Sequence, residues 1–255
     1  MILIQNYMVI GTGFNISFSP VHVLFNLLSM IPPTLILCGG EGKRLLPRTN
    51  NIPKPLVEVN GKPILSYIIE RVNLYAPRKI IVATGYMANK ISSFVSNSYA
   101  EYDITLSYSG DVDIIERVKL AAQYFEEDAI ILYGDTISDI DLHELYSFSN
   151  SHRQIATISV WRMRSQFGIV EIEENDNVHS FIEKPTLDYW INIGYIHLKK
   201  EAIKLLYEFD SFEQYLSYLA KNNNLSAFKH HGDHITINTV EELKIAESSI
   251  DKLRI

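Results

Sequence analysis

From Thr34 onward, short apolar runs alternate with stretches whose apolar residues recur at helical spacing. Thr34 to Cys38, Lys79 to Thr84, Ile104 to Ser107 and Asp128 to Tyr133 are brief, rich in Ile, Leu, Val, Thr or Tyr, and bounded by Gly, Pro, Asn or Asp. That pattern predicts strands. Between them, Ile64 to Tyr75 sets Ile64, Tyr67, Ile68, Val72 and Tyr75 on one face, and Ile114 to Phe125 does the same with Ile114, Val118, Ala121, Ala122 and Phe125. These read as crossover helices. Strand and helix alternating at this spacing predict an α/β fold: a three-layer, Rossmann-like arrangement with a mainly parallel central sheet. Beyond residue 150 the runs Ile155 to Trp161, Ile169 to Ile172, Val178 to Ile182 and Ile193 to Leu198 read as a small antiparallel or mixed β addition. Helices near Lys200 to Leu206, Phe212 to Asn222 and Val240 to Ser248 follow.

Ligands of parallel sheets bind beyond the carboxyl ends of the strands, where the Gly39 loop and Gly134-Asp135 both fall. No repeat, low-complexity tract or linker divides the chain, so residues 30–255 are expected to form one domain. Residues 1–29 differ: apolar stretches are broken by Asn6, Gly11, Gly13, Asn15 and Asn26, and no Lys or Arg precedes Lys43. They match neither a secretory signal nor a membrane helix. The expectation is an upstream extension, with Met30 as an alternative start; an amphipathic or partner-binding arm is the rival.

Charge narrows the classes further. The net charge of -7 and the absence of a basic stripe argue against nucleic acid as the main ligand. A single cysteine, Cys38, excludes an internal disulfide framework and a cysteine-rich zinc site, which suits a cytoplasmic protein. Membrane association is not expected, and a homo-oligomer is left open.

The richest chemistry lies between residues 35 and 63. An apolar strand runs into Gly39-Gly40-Glu41-Gly42-Lys43-Arg44, so backbone amides can approach a phosphate that cations neutralise. A Walker A loop is excluded because Lys43 is not followed by a hydroxyl, and a dinucleotide fingerprint because Leu45 replaces its third small residue. Farther on, Pro53 and Pro55 flank Lys54 and are expected to hold it in an extended segment, suiting a cation that meets developing negative charge.

Together these segments resemble the signature of the sugar-phosphate nucleotidyltransferases, Gly-Gly-x-Gly-x-Arg-Leu-x-Pro-x-Thr followed by x-Pro-Lys-Pro-Leu, which residues 39–49 and 52–56 match closely. The likeness extends from Thr34 to about Glu247. It implies that a sugar 1-phosphate attacks the α-phosphorus of a nucleoside triphosphate and releases pyrophosphate, with magnesium assisting. Lys43 and Arg44 then serve the triphosphate, while Lys54 and Lys184 serve the reacting phosphates.

Asp135, at the end of an apolar strand, is the first expected magnesium ligand. Asn238 stands where many relatives place an aspartate as the second, although Asn238 or Thr239 can equally cap the helix at Val240. Glu183-Lys184-Pro185 resembles the family's sugar-side element, with Asn192 as a hydroxyl contact and Gly168 permitting close approach. The base-side turn departs from the family: Tyr108-Ser109-Gly110-Asp111 replaces a Gly-Thr-Ala or Gly-Leu-Ala turn, so Gly110 is the expected base contact but base preference is not readable. His230-His231-x-x-His234 reads as a turn rather than a zinc site. Two alternatives differ in class: a nucleotide-binding regulatory homologue without activity, and cytidylyl transfer to a non-sugar phosphate such as phosphocholine.

Overall fold

The computed structural model describes residues 30–125 and 127–253. The expected extension at residues 1–29 lies outside the described residues. A seven-stranded sheet forms the centre, built from β1 (Thr34–Cys38), β4 (Ile80–Thr84), β5 (Ile104–Tyr108), β6 (Ala129–Tyr133), β8 (Ala156–Arg164), β11 (Thr186–Leu198) and β12 (Leu225–Lys229). Its order is β12-β8-β11-β6-β1-β4-β5. β1 pairs in parallel with β4 and β6, β4 with β5, and β12 with β8, while β11 runs antiparallel to both β6 and β8. Six strands therefore point one way, and only β11 opposes them.

The apolar runs form strands because both sheet faces are covered. Alternate residues feed two separate cores, as the two-residue period of a strand requires. Ile36, Ile80, Val82, Ile130 and Leu132 pack in one core under α1 (Ile64–Asn73), α2 (Ala88–Ser98), α4 (Leu142–Ser151) and α7 (Val240–Ser249). Leu35, Ile81, Ala83 and Ile131 pack in the other under α3 (Ile114–Ala121), α5 (Lys200–Leu205) and α6 (Phe212–Lys221). The result is the three-layer α/β/α arrangement the pattern predicts.

Local differences have local causes. Asp113 caps α3 by accepting from the Glu116 amide, and this phase buries Ile115 while leaving Ile114 36% exposed. The expected run to Phe125 stops at Ala121 and tightens into a 3₁₀ turn over Ala122–Tyr124. Of the four late strands, β8 and β11 join the central sheet, and only β9 (Ile169–Ile172) and β10 (Val178–Ile182) stand apart as a hairpin. Two further ribbons pair β2 (Glu58–Val59) with β3 (Lys62–Pro63), and β7 (Thr136–Ser138) with β13 (His234–Thr236). The second carries the chain after β13 back to the end of β6.

Candidate active site

β1, β4, β5 and β6 end side by side at Cys38, Thr84, Tyr108 and Tyr133. The loops that follow β1, β5 and β6 bound a cleft of about 840 Å³. Gly39, Gly40, Gly42, Lys43, Arg44, Lys54, Asp135, Asn192 and Asn238 all line it, as does Arg117. Segments far apart in sequence thus meet as the loop chemistry requires.

The glycine turn is shaped by two constraints. Gly42 sits at φ +67°, and a Cβ there would lie 2.8 Å from the Lys54 Cβ. Only glycine accepts both the left-handed backbone and that approach. Thr49 pins the turn by donating its hydroxyl to the Gly42 carbonyl at 3.0 Å, and a 3₁₀ turn over Lys43–Leu45 follows. Lys43 points into solvent and pairs with Glu41 at 2.7 Å, which raises its pKa.

Lys54 opens a 3₁₀ turn, Lys54–Leu56, rather than lying in an extended segment. Pro53 is extended, but Pro55 at the second position of the turn has a fixed φ that suits the tight helix. The turn aims Lys54 inward. Its Nζ donates to Asp135 Oδ2 at 2.5 Å and to Asn238 Oδ1 at 2.8 Å. Arg44 Nη2 donates to the same Asn238 oxygen at 2.9 Å. Two cations and two oxygen-bearing side chains therefore form one cluster at the end of β6.

Each acceptor is held from behind. Asp135 Oδ1 accepts from Thr136 Oγ1 at 3.2 Å, and the Asp135 carbonyl accepts the Ile237 amide at 3.0 Å. Thr239, next to Asn238, caps α7 through a capping box: it accepts from the Glu242 amide, while Glu242 Oε2 accepts the amides of Asn238 and Thr239. Thr239 caps the helix, which leaves the Asn238 side chain free to face the cleft. Asp135 and Asn238 are hard oxygen donors converging on a single positive charge, the chemistry that suits magnesium.

Residues 33–234 match the nucleotidyl transferase family. The chain belongs to it. A glucose-1-phosphate cytidylyltransferase of Salmonella typhi is 30% identical over 226 residues, covering 78% of this chain and 88% of that protein. Among solved structures, HddC of Yersinia pseudotuberculosis is 26% identical with a TM-score of 0.65, covering 86% of this chain and 99% of that one. A UDP-glucose pyrophosphorylase in complex with UDP-glucose has a TM-score of 0.67 at 18% identity, covering 88% and 99%.

Other expected site residues of this nucleotidyltransferase lie outside the cleft. Gly168, Glu183 and Lys184 do not line it. Gly168 packs beneath Phe181 and beside Glu183, whose Oε2 would stand 3.0 Å from a Cβ at that glycine. Glu183 and Lys184 are exposed at the base of the β9–β10 hairpin, and Lys184 holds a φ of +46°. Asn192, on the cleft rim, accepts the Gly194 amide at 2.9 Å. Burial, the nearby Asp135 and Glu213 push the neighbouring Tyr133 hydroxyl up to about 12.

Gly110 also stays off the lining, although Asp111, Val112 and Asp113 after it are on it. What organises that turn is Arg117, which the sequence reading missed. Its side chain, in a residue only 5% exposed, reaches from α3 under the ends of β4 and β5. Nη1 donates to the Thr84 carbonyl, Ser109 Oγ and the Gly110 carbonyl, and Nη2 to the Val112 carbonyl. Burial lowers its pKa. A Cβ on Gly39 would fall 1.7 Å from this guanidinium, so Gly39 is small to admit Arg117. The available signal was a cation placed between Ile115 and Val118 on the apolar side of a helix.

Cys38 is 1% exposed, and burial raises its pKa well above the usual thiol range. His230 is buried against Ser138 and Asp139, with Nε2 2.9 Å from Asp139 Oδ1. Among the described residues no helix is long and apolar enough to cross a membrane.

Proposed function

We propose that this nucleotidyltransferase transfers a nucleotidyl group from a nucleoside triphosphate to a sugar 1-phosphate, giving a nucleoside diphosphate sugar and pyrophosphate. The observation that carries this reading is the Arg44, Lys54, Asp135 and Asn238 cluster beside the Gly39–Gly42 turn. The sugar phosphate oxygen is itself the nucleophile, so the chain need supply only position and charge. The turn's amides and Arg44 hold the triphosphate, and Lys54 faces the reacting α-phosphate, where negative charge spreads as the new bond forms. Asp135 and Asn238 would hold magnesium, which supplies further charge neutralisation on the phosphates. Asn192 takes a sugar hydroxyl at the rim. Glu183 and Lys184 are assigned to the sugar and its phosphate on their motif alone.

The Salmonella typhi relative supports glucose 1-phosphate and CTP as the pair to test first. The assay is pyrophosphate release from each nucleoside triphosphate against a panel of sugar 1-phosphates and phosphocholine, with magnesium and with chelator. Release that requires a sugar 1-phosphate and is lost with chelator is the expected result. Release with phosphocholine alone overturns the acceptor, and none with any pair overturns the reading in favour of a regulatory homologue.

A further inference from the structure

The strand order sets the direction in which a ligand lies along the cleft. From one side to the other, Asn192 on β11, Asp135 after β6, the Gly39 turn after β1 and Asp111 after β5 follow the order β11-β6-β1-β4-β5. With the sugar at Asn192 and the phosphates between Asp135 and the glycine turn, the nucleobase is left to the far wall. That wall stands three strand spacings from β6, about 14 Å.

The far wall suits a flat ring with a donor at its edge. Asp113 commits its carboxylate to the cap of α3, and the helix phase this sets leaves Ile114 36% exposed where it lines the cleft beside Val112. Two aliphatic side chains thus offer a surface to the face of a ring. Asp111 differs from Asp113 in having no such task. Arg117 holds the carbonyls of Gly110 and Val112 on either side of it, and Gly110 turns the chain there at φ +67°. Asp111 itself is exposed and lines the cleft, and among the described residues its carboxylate makes no hydrogen bond or ion pair. Given the nucleotidyl transfer proposed above, on which this rests, we infer that Asp111 selects the nucleobase by accepting a hydrogen bond from an exocyclic amine. The nucleoside triphosphate is thereby confined to cytosine, adenine or guanine. A carboxylate only accepts. Cytosine N4, adenine N6 and guanine N2 each offer it an N–H. Uracil and thymine instead set a carbonyl oxygen on each side of their one ring N–H, and a carboxylate there meets two partial negative charges.

Calorimetric titration of the full chain with CTP, ATP, GTP, UTP and dTTP, each with magnesium and without sugar 1-phosphate, reads the base apart from turnover. Wild type is expected to bind an amine-bearing triphosphate about 10- to 100-fold more tightly than UTP or dTTP, the worth of a hydrogen bond to a charged acceptor. Asp111→Asn keeps the shape and adds an amide that can donate to a carbonyl, so UTP should bind more tightly and the preference should shrink below about threefold. A merely structural role would weaken all five alike and leave their ratios unchanged, which overturns the proposal. A wild type that favours UTP or dTTP, or binds all five equally, overturns it too. Binding of none of the five overturns the proposed transfer itself, and the role of Asp111 with it.

Discussion

Replacing Lys54 by methionine removes the cation at the centre of the cluster while keeping most of the side chain's volume. The ammonium makes two hydrogen bonds, 2.5 Å to Asp135 Oδ2 and 2.8 Å to Asn238 Oδ1. The Lys54 side chain is 12% exposed and that of Asp135 24%, so both are partly solvated and water can replace the lost donor. The stability loss is therefore about 1–3 kcal/mol, a fall in Tm of a few degrees to about 10 °C for a chain of this size. The activity loss is larger. A preorganised charge aimed at a developing oxyanion is worth about 3–4 kcal/mol, so kcat/KM for pyrophosphate release should fall by about 10²–10³. The two effects separate at 25 °C, where the variant stays folded by circular dichroism and the full activity deficit remains. A variant within tenfold of wild type, or one whose deficit matches its unfolded fraction, refutes the placement of Lys54 at the reacting phosphate.

Gly42→Ala forces an L-residue into φ +67° with its Cβ 2.8 Å from the Lys54 Cβ; thermal melts should show a loss of about 1–2 kcal/mol, and kcat/KM should drop because Lys54 must shift. Arg117→Met leaves the Gly110 and Val112 carbonyls without their donor, while Ser109 still donates to the Thr84 carbonyl, costing about 2–4 kcal/mol by urea denaturation, and Arg117→Lys should not restore it because one ammonium cannot span those acceptors. Burial, then the neighbouring His230, lowers the His234 pKa from 6.5 to about 4, with Asp233 opposing. The unfolded chain binds this proton more readily, so the stability is present above pH 6.5 and is lost as pH falls toward 4. His234→Gln should flatten urea midpoints across that window, and an unchanged pH slope counts against the assignment.

Which of these residues a reader could find from sequence follows from how each is positioned. β1, β4 and β6 are runs buried on both faces, so periodicity and the glycines at their ends suffice to place the Gly39 turn and Asp135. α2 escaped because only Ile91 and Val95 are buried along it, too few to set a period. The β7–β13 ribbon escaped because its strands are three residues each. That ribbon decides the site: it brings Asn238 within 2.8 Å of Lys54 across 184 residues of sequence. Arg117 was hidden by its context, since an arginine in an amphipathic helix ordinarily faces water. The sugar-side residues show the opposite limit. Gly168 and Glu183 were legible as a motif and do lie together, yet a motif carries no information on whether their hairpin leans over the cleft.

Three of the cluster's four charged or polar groups owe their positions to separate local devices. Pro53 and Pro55 set the turn under Lys54, the end of β6 presents Asp135, and a capping box fixes the chain at Asn238. None depends on the side chains of the others, so removing one group should leave the backbone that carries the rest in place. Arg44 and Lys54 share a single acceptor oxygen on Asn238. That shared oxygen is the point where the devices meet, and Asn238→Ala should therefore loosen both cations at once where Lys54→Met disturbs only one. If the two substitutions reduced kcat/KM equally and were additive in the double variant, the cations would be acting independently. Sub-additive losses are what a cluster joined through Asn238 requires.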